Sequence, residues 1–320
     1  MIAYIHVILK NIPPLSYPKI YPTVVVLAGP TAVGKTELAI KLANEFNTEI
    51  ISADSRQFFK EMNIGTAKPS AQELSLARHH LIDSHSIFDS YDVKQFEKDV
   101  LLLLEQLFIK YPVVILTGGS GLYIDAVCKG FDEIPDISSS VRADIIDSYE
   151  KYGITWLQTE VKQLDPNYFE VVDQKNPQRL MRALEVCRAT GQAYSSFRNK
   201  KSVERTFKII KIALERDREE LYSRIDHRMD RMLEQGLLEE AQQLYPYKEL
   251  NALQTVGYTE IFGFLDGEYD LEEATRLLKR NSRRYAKRQL TWFRRDEAYQ
   301  WFNPSQEQEI IRWVRHQLNG

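Results

Sequence analysis

The chain has 320 residues, 43% of them hydrophobic and 27% charged, an ordinary globular composition with room for one large core or two domains. A net charge of -3 excludes a chain that is basic overall, so any nucleic-acid footprint has to be local. No apolar run reaches the roughly 20 residues needed to cross a bilayer. The two cysteines, Cys128 and Cys187, lie too far apart for a C-x-x-C motif, which argues against a disulfide framework or a zinc site. A reducing compartment, the cytoplasm, is the expected location.

Residues 1–22, MIAYIHVILKNIPPLSYPKIYP, are mildly apolar and rich in proline. They lack a basic n-region and a small-residue cleavage site, so they read as a loosely attached extension rather than a signal peptide. Thr23 to Ala28 is a β-branched run that reads as a buried strand. Gly34 to Phe46 follows with the helical spacing Leu38, Leu42, Phe46. Glu49 to Ser52 reads as a second strand, with Asp54 just beyond it. Val93 to Ile109 is expected to be a helix burying Phe96, Val100, Leu103 and Leu107. Val113 to Leu116 is another apolar strand, stopped by Thr117-Gly118-Gly119. Strands alternating with helices predict an α/β fold with a doubly wound parallel sheet.

The pattern changes after Gly130. Residues 131–199 read as helices and turns without a convincing strand. Asn176-Pro177 should cap one helix, and Gly191 should end it. Phe207 to Leu214 returns to strand character, and helices dominate from there on. The expectation is a core of 23–130 and 200–320, interrupted by a small helical domain at 131–199.

Gly29-Pro30-Thr31-Ala32-Val33-Gly34-Lys35-Thr36 fits the phosphate-loop pattern G-x-x-x-x-G-K-[ST]. Its glycines let backbone N–H groups approach phosphate oxygens at a helix N-terminus. Lys35 adds a point charge, and the Thr36 hydroxyl is a candidate Mg²⁺ ligand. A nucleotide hydrolase also needs a carboxylate at the end of an apolar strand. The best strand for that, VVILTGGS, offers Thr117 instead. Ligands in such sheets bind beyond the carboxyl ends of strands, so the loop, Asp54 and Ser120 should converge there. One carboxylate beside a phosphate cradle suits a reaction in which pyrophosphate leaves and Asp54 handles a proton. Ser120 is also placed to cap the helix beginning GLYIDAV.

Between Lys279 and Arg295 stand eight cations and no acid. Arg280, Arg284, Lys287 and Arg288 fall along one helical stripe, with Tyr285, Trp292 and Phe293 interleaved. The stripe reads as a phosphate-backbone footprint, because solvated helices usually mix signs. Arg224 and Arg228, four apart, could both point at a pyrophosphate. Adjacent His79 and His80 are expected to serve packing or hydrogen bonding rather than a metal.

GPTAVGKT, EIISADSRQ, MNIGTAKPS, HHLID, GGSGLYIDAV, NPQRLMRALEV, LQTVGYTEI and KRQLTWFR occur in that order. Together they resemble the tRNA dimethylallyltransferases, over about residues 23–302. The resemblance implies a P-loop NTPase-like core whose helical insertion grips the tRNA anticodon stem-loop. It implies transfer of a dimethylallyl group from dimethylallyl diphosphate to the N6 amine of the adenosine 3′ of the anticodon. By the resemblance, Gly29 to Thr36 would hold the diphosphate, with Mg²⁺ as cofactor. Asp54 would be the base, and Lys35, Ser120 and Arg228 would join it in catalysis. Asp54, Ser55, Arg56, Gln57, Ser120, Arg142, Gln178, Arg179, Leu180, Met181 and Arg182 would contact tRNA, alongside Arg284 and Arg288 of the basic stripe. Ser120 replaces a threonine usual in the family. A monomer without membrane association is expected. The rival readings are a P-loop small-molecule kinase, a prenyltransferase acting on free adenine nucleotides, and a non-catalytic RNA-binding protein.

Overall fold

Along the first strand, alternate side chains face opposite ways, and both sets are buried. Val24 and Val26 enter one hydrophobic cluster, and Val25 and Leu27 enter another. A strand apolar on both faces can only be satisfied between two layers of helices, which is the condition of a parallel sheet. The computed structural model describes residues 21–132, 134–198 and 203–319. The expected extension falls almost wholly at residues 1–20, outside the described residues.

Thr23–Ala28 (β1), Lys35–Glu45 (α1), Ile50–Ser52 (β2), Ala71–Leu76 (α2), His79–His80 (β3), Val93–Phe108 (α3), Val113–Gly118 (β4) and Gly121–Lys129 (α4) come first. Ser139–Leu164 (α5), Pro166–Phe169 (α6), Pro177–Thr190 (α7) and Tyr194–Phe197 (α8) follow, with no strand among the described residues of that stretch. The rest is Lys208–Leu214 (β5), Arg218–Glu234 (α9), Leu237–Leu244 (α10), Tyr258–Leu265 (α11), Leu271–Phe293 (α12), Gln300–Phe302 (β6) and Glu307–Asn319 (α13). The six strands form one sheet in the order β3-β2-β4-β1-β5-β6, with every pairing parallel. The expected doubly wound α/β sheet is therefore present.

Three local expectations need correcting. The buried face of α3 uses Phe96, Val100, Leu104 and Leu107; Leu103 is only partly buried, because Leu104 lies four residues after Val100 and keeps the helical stripe. The short edge strands β3 and β6 add to the expected set. They are too short to show a period, and they form because β2 and β5 each leave an edge to pair. The interruption of the core is wider than 131–199. The chain divides into one unit built from the sequence up to Cys128 together with that from Arg205 onward, and a second unit at Lys129–Glu204.

The second unit has its own core of Ile145, Leu157, Val161, Tyr168, Phe169, Leu180, Met181, Ala183 and Leu184. Asn176 caps α7 by accepting from the Arg179 N–H (3.2 Å), and Gly191 ends it in the left-handed region, as expected. Asp165 is fully buried and satisfied: it accepts from the N–H groups of Tyr168 and Ser195 and from the Ser195 hydroxyl. Cys128 and Cys187 are both buried, and no disulfide joins them. Among the described residues no helix is long and apolar enough to cross a membrane.

Candidate active site

The carboxyl ends of the central strands deliver the candidate residues to one edge of the sheet. β1 runs into the phosphate loop, β2 into Asp54, β4 into Gly119 and Ser120, and β5 into Arg216. The loop is held from behind by cations. Lys35 Nζ donates to the carbonyl oxygens of Gly29 (3.0 Å) and Pro30 (2.8 Å). Arg224 donates to the Ala32 carbonyl (2.9 Å), Arg216 to the Val33 carbonyl (2.8 Å), and Arg228 to the Thr31 hydroxyl. The first N–H groups of α1 have no intrahelical partners and form the anion-facing end of the loop.

This concentration of positive charge has a cost that burial sets. Burial lowers the Lys35 ammonium to about 8, with Arg228 pushing the same way and Asp54 opposing. Burial likewise brings Arg228 down to about 10, again opposed by Asp54, and its Nε is buried without a hydrogen-bond partner. Arg56 is also lowered by burial, against the pull of Tyr123, Tyr285 and Asp54. A buried cationic pocket with one unpartnered N–H has the charge and the donors that suit a multiply charged oxyanion.

Asp54 shares an open cleft with Thr31, Arg56, Arg228 and Tyr285. Its Oδ1 accepts from the Arg56 N–H (3.0 Å). The Ser120 hydroxyl accepts from the Ser55 N–H (2.9 Å) and donates to the Ser55 hydroxyl (3.0 Å), while the Ser120 carbonyl starts α4. Thr117 donates to the Leu27 carbonyl (3.0 Å), so the end of β4 carries a buried hydroxyl where a hydrolase would have an acid. Met229, Met232 and Val256 give the cleft an apolar wall, and Gly65, Thr66 and Ala67 give it a rim. Glu240 clamps that rim by accepting from the N–H groups of Asn63, Ile64 and Gly65.

Thr36 is half-buried at the start of α1, and among the described residues its hydroxyl makes no protein hydrogen bond. The Thr36 hydroxyl and the Asp54 carboxylate are hard oxygen donors. They suit Mg²⁺, which takes its other ligands from substrate phosphates and water. Among the described residues no cluster of His, Cys, Asp and Glu is built to hold a metal by itself. His79 and His80 have the bonding role expected of them: His79 meets the Ala77 carbonyl and His80 meets Glu49.

Several expected tRNA contacts are committed within the protein. Gln57 donates to the carbonyls of Thr66 and Ala67 and accepts from Ser52. In the second unit Arg142 and Arg182 both bind the buried Glu185, and Arg142 also reaches Gln178 (3.1 Å). The side chains of Leu180 and Met181 are packed into that unit's core, on the inward stripe of α7. Gln178, Arg179 and Arg182 lie on the same helix outside that core.

The basic stripe is also corrected in part. Its counter-charges exist in space although not in the sequence window. Lys279 pairs with Asp230, Arg283 with Asp226 and Arg294 with Glu215. Arg284, Lys287 and Arg288 make no such pair among the described residues, and Arg284, Lys287 and Arg288 stand at the surface of α12. Phe293 is core, Trp292 donates to Asp125 (2.8 Å), and Tyr285 turns into the cleft, where burial first and Asp54 second push its hydroxyl up to about 12. Sequence reading missed Arg216 and Gln289, and it placed Tyr285 on the basic stripe rather than in the cleft. The legible signal for Gln289 was a polar residue on the buried stripe Leu278, Ser282, Ala286, Gln289, Phe293.

The family model described as IPP transferase matches residues 57–296. A tRNA dimethylallyltransferase 1 of Bacteroides thetaiotaomicron is 49% identical over 296 residues, covering 92% of this chain and 96% of the relative. A tRNA dimethylallyltransferase of Christiangramia forsetii is 52% identical over 294 residues, covering 92% and 97%. Among solved structures, the full-length tRNA isopentenylpyrophosphate transferase of Bacillus halodurans is 36% identical, with a TM-score of 0.68 over 93% of this chain and 97% of that one. A eukaryotic dimethylallyltransferase acting on tRNA is 29% identical, with a TM-score of 0.69 over 84% of this chain and 69% of that one. Half-identical relatives matched almost end to end, and a family model matching well over half of the chain, mean that this chain belongs to the IPP transferase family.

Proposed function

We propose that the protein transfers a dimethylallyl group from dimethylallyl diphosphate to the N6 amine of the tRNA adenosine 3′ of the anticodon, releasing diphosphate. The observation that carries this reading is the cleft itself. A cationic phosphate loop and Asp54 open into one space, and the strand end that would carry a hydrolase's acid carries Thr117 instead.

The chemistry divides between the two sides of the cleft. The adenine amine is a weak nucleophile because its lone pair delocalises into the ring. The allylic C1 of the donor is a good electrophile once the departing diphosphate is stabilised. Lys35, Arg228 and the loop N–H groups stabilise that leaving charge in a site of low polarity. Mg²⁺ bound through Thr36 would neutralise further phosphate charge. As the new C–N bond forms and the C–O bond to diphosphate breaks, Asp54 accepts the amine proton. Met229, Met232 and Val256 offer the dimethylallyl tail an apolar wall.

Arg284 and Arg288, together with Gln178, Arg179 and Arg182 of the second unit, are the groups assigned to the tRNA backbone. On this reading the protein acts as a monomer and meets its tRNA substrate in the cytoplasm. The test is incubation with labelled dimethylallyl diphosphate and two acceptors, bulk tRNA and free AMP. Label on tRNA adenosine is the expected result; label on AMP alone overturns it.

A further inference from the structure

Gln289 sits on the inward face of α12 and is only 6% exposed, among the few buried polar side chains in the protein. Both ends of its amide are used. Its Oε1 accepts from the Thr31 N–H (2.9 Å), and its Nε2 donates to the Gly119 carbonyl (2.9 Å). What those two atoms belong to gives the bridge its meaning. Thr31 is in the phosphate loop, and its hydroxyl is already held by Arg228. Gly119 precedes Ser120, whose hydroxyl is bonded to the backbone and side chain of Ser55, the residue after Asp54.

The sheet does not fix these two loops against each other. The β1–β4 ladder ends at the pair Ala28 and Gly118, and both loops leave the sheet there. Gln289 bridges them one residue past the ladder on the β4 side. The fit is tight. A Cβ on Gly119 would lie 2.2 Å from Gln289 Nε2, and one on Gly121 would lie 2.2 Å from Trp292 Cδ1. Glycine at these positions lets α12 seat directly on the turn.

We propose that Gln289 is a positioning residue that sets the donor's diphosphate cradle and the Asp54 loop at their reacting separation. This rests on the reading that the phosphate loop holds the diphosphate and Asp54 accepts the proton. The Thr31 N–H is taken by Gln289 and so is withdrawn from the anion. Loss of Gln289 therefore leaves diphosphate binding nearly intact and disturbs alignment. Misplacing reacting groups by about 1 Å can cost on the order of 10²-fold in rate.

The experiment compares Gln289→Met with the parent by single-turnover rate at saturating tRNA and dimethylallyl diphosphate, and by binding of inorganic pyrophosphate. The expected result is a rate loss of about 10²-fold with pyrophosphate affinity little changed. Gly119→Ala reaches the same link from its other end, because the new methyl displaces the amide while Gln289 itself remains. It should reproduce the loss, and it carries the test if Gln289→Met does not fold. The discriminating arm is the same substitution in an Asp54→Asn background. A bridge that acts by aligning Asp54 loses most of its effect once Asp54 cannot take a proton, whereas a merely structural residue costs the same in both backgrounds. A multiplicative loss on a slow Asp54→Asn enzyme overturns the alignment role alone. A normal rate in Asp54→Asn overturns the assignment of Asp54 and the alignment role together. An unchanged rate in Gln289→Met, or a loss confined to pyrophosphate affinity, overturns the proposal directly.

Discussion

Asp54 and Lys35 interact electrostatically, and their substitutions should leave different signatures. Asp54→Asn preserves size and hydrogen bonding but cannot take a proton. Its single-turnover rate is expected to fall by roughly 10²–10⁴, the range for a lost general base, while tRNA and donor still bind. A near-normal rate with only affinity reduced would leave Asp54 as a tRNA contact. Lys35 carries a pH signature. Its value falls from 10.5 to about 8 on folding, so between those limits the unfolded chain holds more protons. Stability from this group therefore increases as pH rises from about 8 toward 10.5, where the buried charge is given up. Diphosphate binding has the opposite sign, because it needs the ammonium. Pyrophosphate affinity should weaken above pH 8 in the parent relative to Lys35→Arg, whose guanidinium stays charged. That comparison cancels the ligand's own titration. Parallel curves for the two proteins would remove Lys35 from direct contact with the anion.

At the scale of elements, α12 performs two jobs on two faces. Its inward face bonds the site loops through Gln289, and its outward face presents Arg284, Lys287 and Arg288. Lys279 and Arg283 belong to neither, being spent on Asp230 and Asp226 of α9. The two kinds of cation should separate in a salt titration of tRNA binding. Arg284→Ala with Arg288→Ala is expected to lower the log–log slope by about 0.9 for each phosphate no longer neutralised. Lys279→Ala with Arg283→Ala should leave the slope alone and cost at most about 1 kcal/mol per pair in stability, since these pairs are partly exposed. Equal slopes in the parent and the Arg284/Arg288 variant would return that face to ordinary solvated surface.

At the scale of the molecule, the chain forms two compact units, and the proposed function gives the diphosphate to one and part of the tRNA to the other. The Lys129–Glu204 unit is small and depends on few side chains, among them fully buried Leu184. Leu184→Ala should cost about 2–5 kcal/mol there, through the apolar burial removed and the cavity left behind. The expected outcome is weaker tRNA binding with pyrophosphate binding retained, read by titrating each ligand into the same variant. Joint loss of both would mean that the two units do not melt separately. The division between local and distant information follows the same lines. The phosphate loop, the runs that form β1, β4 and β5, and the cap of α7 were legible because each depends on neighbours a few residues away: glycine spacing, apolar period, an Asn before a Pro. β3 and β6 were not, since two or three residues carry no period and pair only because a neighbouring strand leaves an edge open. The burial of the Leu180 and Met181 side chains on the inner stripe of α7 came only with the packing of that unit. The window from Lys279 to Arg295 contains no acid, yet α9 brings two to it. Gln289 meets partners 258 and 170 positions away in the chain. Sequence alone determined which chemical groups the protein has and which short elements carry them. Tertiary structure decided which charges are spent inside and which loops are joined, because both depend on packing between segments that are neighbours only after the chain has folded.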